Sequence, residues 1–130
     1  MLRQYIEIGK YNWNIYVYYN VGKENYYELA KALLELDCPK RCVVKSLRIV
    51  TNQQNTGMTF TNTDTRTSVV FISKATSGEQ FANTVVHEAK HVQSHICEDC
   101  GIDETGEPAA YLIGYIVQRM YRILKAYGGF

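Results

Sequence analysis

The amino-acid sequence predicts one α+β domain, in which a small, mostly antiparallel sheet carries packed helices. Short runs rich in β-branched and aromatic residues occur in two pairs, 5–8 with 13–20 and 57–61 with 67–73. Each pair is followed by longer segments whose apolar residues recur every three to four positions, which is helical spacing. The chain of 130 residues is 46% hydrophobic and 21% charged, as is usual for one globular domain. We therefore treat residues 1–130 as a single domain.

The charge balance and the apolar pattern narrow the range of partners. A formal net charge of +1 gives no bulk attraction to nucleic acid or to an anionic membrane. Residues 1–7 lack the apolar segment of a secretory signal, and the most apolar run, 108–117, is too short to span a bilayer. The sequence predicts a cytoplasmic protein that binds neither nucleic acid nor membrane. It says nothing about oligomeric state.

The first 50 residues predict a hairpin followed by two helices. The strands 5–8 and 13–20 are expected to pair across Gly9-Lys10. The second strand alternates, with one face formed by Ile15, Val17 and Tyr19. The helices are expected over 24–36 and from Pro39 to about Val50, because proline suits the first helical turn.

Residues 57–61 and 67–73 predict a second pair of strands. Val69 to Ile72 is apolar on both faces, as in a central buried strand. The preceding run is rich in threonine, as an edge strand often is. A protease can bind an extended substrate by adding it to such an edge, although an ordinary hairpin accounts for the pattern equally well.

Two helices are predicted in the last 55 residues or so. The first begins at Ser77, which forms a capping-box pattern with Gln80, and it ends at Cys100-Gly101, where glycine suits a left-handed cap. The second begins at 105–108 and is expected to run to about Tyr127 and to end at Gly128-Gly129. The residues of the first helix that we expect to face a core are Phe81, Val85, Val86, Val92 and Ile96.

The first of these helices contains the motif H-E-x-x-H at residues 87–91. Positions four apart lie on one face of a helix, so His87 and His91 can bind one metal ion. Glu88 lies on the adjacent flank, where it can reach a water at the metal without being a ligand. This set of side chains favours a catalytic Zn²⁺ site over a surface helix that carries two histidines by chance.

A catalytic zinc needs a third protein ligand, and the sequence offers three candidates. Glu107 is preferred, because it begins a helix that must fold back antiparallel to bury its apolar face. His95 lies one turn beyond His91, and three histidines on a line do not converge well on a tetrahedral ion. Cys97 and Cys100 lie at the far end of the helix.

The four cysteines form two closely spaced pairs, Cys38 with Cys42 and Cys97 with Cys100. Four thiolates could bind a structural zinc, and a cytosolic setting disfavours disulfides. Each pair lies near a predicted helix end and lacks the flanking glycines of a zinc knuckle. We therefore expect free thiols.

The motif at 87–91 followed by Glu107 resembles the glutamate-zincins, the thermolysin-like clan of zinc peptidases. The short chain resembles the minimal single-domain members of that clan. The segment 106–111, which reads G-E-x-x-A-Y, is similar to small metallopeptidase-like proteins of phages and mobile elements. The resemblance implies a zincin-like fold, Zn²⁺ bound by His87, His91 and Glu107, and hydrolysis of a peptide or protein substrate with Glu88 as the general base.

Two positions depart from the clan. Lys90 is charged where the clan has uncharged residues, which suggests either a solvent-facing side chain or a degenerate site. Tyr111 replaces an aspartate that often orients the first histidine. Its hydroxyl is a candidate to orient His87 or His91, or to donate to a reacting oxygen, with simple core packing as the alternative.

Three other functions fit the same residues. One is a zinc-binding protein without peptidase activity that serves as a structural or interaction module. Another is an interaction module in which the motif is coincidental. The third is a hydrolase of a non-peptide amide, in which the shape of the pocket would select the substrate.

Overall fold

A four-stranded mixed sheet with helices on both faces forms the α+β fold of the computed structural model, which describes residues 1–127. The strands are β1 (Leu2–Ile8), β2 (Trp13–Val21), β3 (Gly57–Asn62) and β4 (Thr67–Ser73). They lie in the order β1-β2-β4-β3. The outer pairs, β1 with β2 and β3 with β4, are antiparallel, and the central pair is parallel.

The helices occupy the two faces unequally. They are α1 (Tyr26–Glu35), α2 (Lys40–Val50), α3 (Gly78–Cys100), α4 (Glu107–Tyr121) and the short α5 (Leu124–Tyr127). The long helices α3 and α4 pack against β1, β2 and β4 on one face. Helices α1 and α2 cover β4 on the other face. None of the helices in residues 1–127 combines the length and the apolar composition that crossing a bilayer requires.

The predicted first hairpin is confirmed. Ile6 pairs with Ile15 in an antiparallel register. Ile15, Val17 and Tyr19 are fully buried under α3 and α4, so the alternation of the sequence assigns the faces correctly.

Strand β4 is the central buried strand that its sequence predicts. Val70 and Ile72 belong to the core beneath α3 and α4, whereas Val69 and Phe71 belong to the core beneath α1 and α2. Strand β3 lies at the edge of the sheet, also as predicted. This edge strand contacts α3, the helix that carries the motif, through the hydrogen bond from Thr59 to Glu88.

Helix α3 begins and ends as expected. The Ser77 hydroxyl accepts a hydrogen bond of 3.1 Å from the backbone N–H of Gln80, and Gly101 has a φ of 67°. Val86 was expected in the core but is 47% exposed, so that expectation is wrong. It lies on the flank of α3 away from the sheet, because Val85 and Ala89 already fill the buried face.

Helix α4 ends earlier than the sequence predicts. It stops at Tyr121 instead of near Tyr127. The backbone N–H groups of Arg122 and Ile123 bond three residues back, to Arg119 and Met120, and this tightens the chain into a turn. The turn lets Ile123 and the first residue of α5 pack on the core. The expected end at Gly128-Gly129 lies outside the described residues.

Candidate metal centre

His87 and His91 bring two imidazole nitrogens together on the exposed side of α3. Their Nε2 atoms are 3.3 Å apart, and the His87 side chain is 65% exposed. Two nitrogens that each lie about 2.0–2.1 Å from a tetrahedral zinc are roughly 3.3–3.4 Å apart. The pair therefore has the spacing of two ligands of one zinc ion and is open to solvent.

Glu88 is buried directly beside this pair. Its side chain is 4% exposed, and its Oε2 lies 3.9 Å from Nε2 of His87. Its other oxygen, Oε1, accepts a hydrogen bond of 2.9 Å from the hydroxyl of Thr59 on β3. A Cβ at Gly57 would come within 2.9 Å of the Glu88 Cγ, so the edge strand approaches the glutamate closely only because residue 57 is glycine.

Burial raises the pKa of the Glu88 carboxyl above its ordinary value. The Thr59 hydroxyl and the positive charges that His87 and His91 can carry act in the opposite direction, but burial outweighs them. A carboxyl whose pKa lies closer to neutrality is better suited to accept and return a proton near physiological pH.

His95 faces the edge strand one turn beyond His91. Its Nδ1 lies 2.7 Å from the hydroxyl oxygen of Thr61, and the ring centroids of His91 and His95 are 6.5 Å apart. Burial lowers the pKa of His95, the His91 charge lowers it further, and Glu98 acts in the opposite direction. His95 is thus held by β3, outside the close contact between His87 and His91.

The structure does not bring Glu107 to the histidine pair. Glu107 is exposed and lines a cleft of about 360 Å³ together with Lys10, Tyr11 and Tyr111. Ala109 is fully buried, and a residue two positions earlier lies about 160° around a helix from it. Within residues 1–127, no three His, Cys, Asp or Glu side chains come together as a metal-binding group. The described residues thus bring together two candidate zinc ligands, His87 and His91, and no third one beside them.

Tyr111 lies in the same cleft as Glu107. It is 76% exposed, so the alternative that it packs in the core is wrong. The structure places it on the outer face of α4, opposite the turn between β1 and β2, where Lys10 and Tyr11 line the same cleft. Neither of its expected contacts, with His87 or with His91, is among the hydrogen bonds of the described residues.

Lys90 points towards the loop before α4. Its ammonium group donates to Gln93 Oε1 at 2.7 Å and to Glu104 Oε2 at 3.1 Å. Glu104 also accepts a hydrogen bond of 3.2 Å from Ser94, one turn after His91. The hydrogen bond from Lys90 lowers the pKa of Glu104. The charged Lys90 side chain therefore links α3 to this loop. The carboxylate of Glu104 is the loop group that it contacts.

The two cysteine pairs lie on opposite faces of the sheet. Cys38 belongs to the core beneath α1 and α2, whereas Cys97 belongs to the core beneath α3 and α4. All four cysteines are free thiols, and burial raises the pKa of Cys38 and of Cys97. The sheet between them rules out a shared four-thiolate zinc site.

Three partners of the site escaped prediction from the sequence: Gly57, Thr59 and Thr61. Thr59 and Thr61 are two positions apart, so a strand places both hydroxyls on the same face. This two-residue spacing was the available signal in the sequence. Their partners on α3 depend on how β3 is aligned with the helix, which the period does not give.

Comparisons with protein-family models, with curated proteins and with solved structures find no significant match to this chain.

Proposed function

We propose that this protein is a zinc-dependent metallopeptidase in which His87 and His91 are two of the zinc ligands and Glu88 is the general base. One observation carries the proposal. Two imidazole nitrogens lie 3.3 Å apart, and a buried carboxylate oxygen lies 3.9 Å from one of them. A purely structural zinc site has no need of that carboxylate, whereas a hydrolytic site does.

The roles of the chain's own groups follow from their positions. When bound, Zn²⁺ polarises a carbonyl and makes a nearby water more acidic. Glu88 accepts a proton from the attacking water and returns it to the leaving amine. Thr59 fixes Oε1 of the carboxylate, so that Oε2 stays on the side of His87. The outer edge of β3 offers unpaired backbone groups to an extended peptide.

The third ligand is a choice between two glutamates. Glu107 is the residue that the resemblance implies, and its use requires the first turn of α4 to reorient when zinc binds. Glu104 is the competitor, because it already contacts α3 through Lys90 and Ser94. Ser94 lies three residues after His91 and therefore on the neighbouring turn of the same flank.

The test is the zinc content of purified, zinc-reconstituted protein, measured by elemental analysis. We expect about one zinc per chain in the wild type and almost none in His91→Ala. Of Glu104→Ala and Glu107→Ala, only the variant that lacks the third ligand should lose zinc sharply. A wild type that binds no zinc would overturn the proposal.

The catalytic part is tested with Glu88→Gln on an unfolded protein substrate such as casein. The variant is expected to keep its zinc and to lose about 10²–10⁴-fold in kcat, the usual contribution of a general base. Equal activity in the wild type and in Glu88→Gln would remove Glu88 from the mechanism.

A zinc-binding module without peptidase activity is the second candidate. It is favoured by the absence, among the described residues, of a third ligand beside the histidine pair. Zinc bound at His87 and His91 in a protein that cleaves no peptide would support this candidate instead.

A further inference from the structure

A chain of hydrogen bonds crosses the sheet and ends on His95. The indole N–H of Trp13 on β2 donates to the Ser68 hydroxyl of β4 at 3.0 Å. The hydroxyls of Ser68 and Thr61 are 2.7 Å apart, and Thr61 lies 2.7 Å from His95 Nδ1. Trp13 and Ser68 are fully buried. Three strands thus converge on one ring nitrogen.

The buried end of this series of hydrogen bonds determines which group donates and which group accepts at each step. An indole N–H can only donate, so the Ser68 oxygen is an acceptor towards Trp13. Ser68 then donates its own proton to Thr61, its other hydrogen-bond partner. Thr61 in turn donates to His95 Nδ1. The reverse direction would leave the Ser68 proton without an acceptor inside the fold, which is unfavourable.

This order fixes the tautomer of His95. Because Nδ1 accepts, the proton of the neutral ring is on Nε2. None of the hydrogen bonds among residues 1–127 involves this Nε2. The ring lines a cleft of about 350 Å³ at the edge strand, together with Thr61, Thr63 and Glu98. An N–H donor is thus held at the strand edge, facing a cleft that a substrate could enter.

We propose that His95 is a substrate-binding donor, which gives its Nε2–H to a backbone carbonyl of an extended peptide lying along β3. This inference rests on the proposed peptidase function. It assigns His95 to the substrate and not to zinc, because a nitrogen that keeps its proton has no lone pair for a metal. Thr61 is then a positioning residue that acts through His95.

The first test reads the tautomer directly and needs no activity. The chain has only 3 histidines, so side-chain ¹⁵N–¹H correlation spectra of histidine-labelled protein are simple to assign. We expect His95 as the Nε2–H form in the wild type and in Thr61→Ser, which keeps the hydroxyl. In Thr61→Val the two tautomers should mix. A wild-type His95 that is protonated on Nδ1 would overturn the inference.

Zinc addition separates the inference from the proposed function. Zinc should shift the ring nitrogens of His87 and His91 while His95 keeps its Nε2 proton. Loss of that proton on zinc addition would make His95 a ligand and overturn its role as a donor. If none of the three histidines responds to zinc, the metallopeptidase proposal fails, and with it the substrate contact, although the tautomer result stands.

Kinetics on casein test whether His95 contacts the substrate. His95→Ala is expected to raise KM about tenfold with little change in kcat, because the contact is made in the ground state and in the transition state alike. Thr61→Val should also raise KM, by roughly threefold, whereas Thr61→Ser, which keeps the hydroxyl, should have a KM close to that of the wild type. A KM that is equal in the wild type and in His95→Ala, with zinc fully bound, would refute the contact.

Discussion

Glu88 has a carboxyl group that is buried beside two exposed imidazoles, and its pKa is raised by that burial. A raised pKa means that the folded protein binds the proton more tightly than the unfolded chain does. The resulting stability is fully present below the ordinary glutamate value of 4.5 and is lost as the pH rises through the folded pKa. In the metal-free protein, the buried Glu88 carboxylate therefore lowers the free energy of unfolding, and this loss grows as the pH rises.

Glu88→Gln should remove that cost, since an amide stays neutral and can still accept from Thr59. As the pH rises from about 4 to about 8, the free energy of unfolding of the metal-free variant should increase relative to the wild type. Urea unfolding in the presence of a chelator measures the difference at each pH. A difference that stays constant over this range would contradict the buried, titrating carboxyl.

Gly57 allows β3 to approach Glu88. A Cβ there would lie 2.9 Å from the Glu88 Cγ and 2.9 Å from the backbone oxygen of Phe71, and the backbone oxygen cannot swing aside. Gly57→Ala should therefore lower the free energy of unfolding by about 1–3 kcal/mol. The matched control is Gly114→Ala on α4, where the added methyl meets open space and should stabilise by up to about 1 kcal/mol. Equal effects of the two variants in urea unfolding would refute the close approach.

At the scale of elements, a buried amide joins α3 to α4. Gln93 donates to the carbonyl oxygen of Ala109 at 3.1 Å and accepts from Lys90 at 2.7 Å. Gln93→Leu has a similar volume but cannot make either bond, and it should cost about 1–2 kcal/mol. Gln118→Leu, at an exposed position on α4, should change stability by less than about 0.5 kcal/mol. Thermal and urea unfolding of the two variants test the contrast.

The elements themselves could largely be predicted, because their signals are local. Ser77 and Gly101 bound α3 through their own cap chemistry, and the two-sided apolar pattern of 69–72 identifies the central strand. Contacts between distant elements left no such signal. The parallel pairing of β2 with β4 depends on where α1 and α2 carry the chain, and the direction of Glu107 depends on which side of α4 meets the core.

In the candidate site too, features within one helix could be predicted, whereas contacts between distant elements could not. The spacing of His87 and His91 predicts that both rings lie on one face of the helix, and the structure brings their Nε2 atoms to 3.3 Å. The partnership of Glu88 with Thr59 joins residues 29 positions apart and depends on the alignment of β3 with α3. No periodicity within either segment encodes that alignment.

At the scale of the whole molecule, two apolar cores share one sheet. Leu47 of α2 is fully buried in one core, and Trp13, the sole tryptophan, is fully buried in the other. Strand β4 contributes alternate side chains to both cores, Val70 to one and Phe71 to the other. Because β4 cannot leave the sheet without exposing both cores, we expect the chain to unfold as one cooperative unit.

This cooperativity can be measured with Trp13 as a built-in probe. In urea, the transition followed by Trp13 fluorescence should coincide with the transition followed by far-ultraviolet circular dichroism. Leu47→Ala, on the other face of the sheet from Trp13, should lower both midpoints together and cost about 2–5 kcal/mol. A Leu47→Ala protein whose Trp13 transition stays at the wild-type midpoint would mean that the two layers unfold separately. The zinc site that we propose on α3 would then be supported by one layer alone, and substitutions in α1 or α2 would leave zinc affinity unchanged.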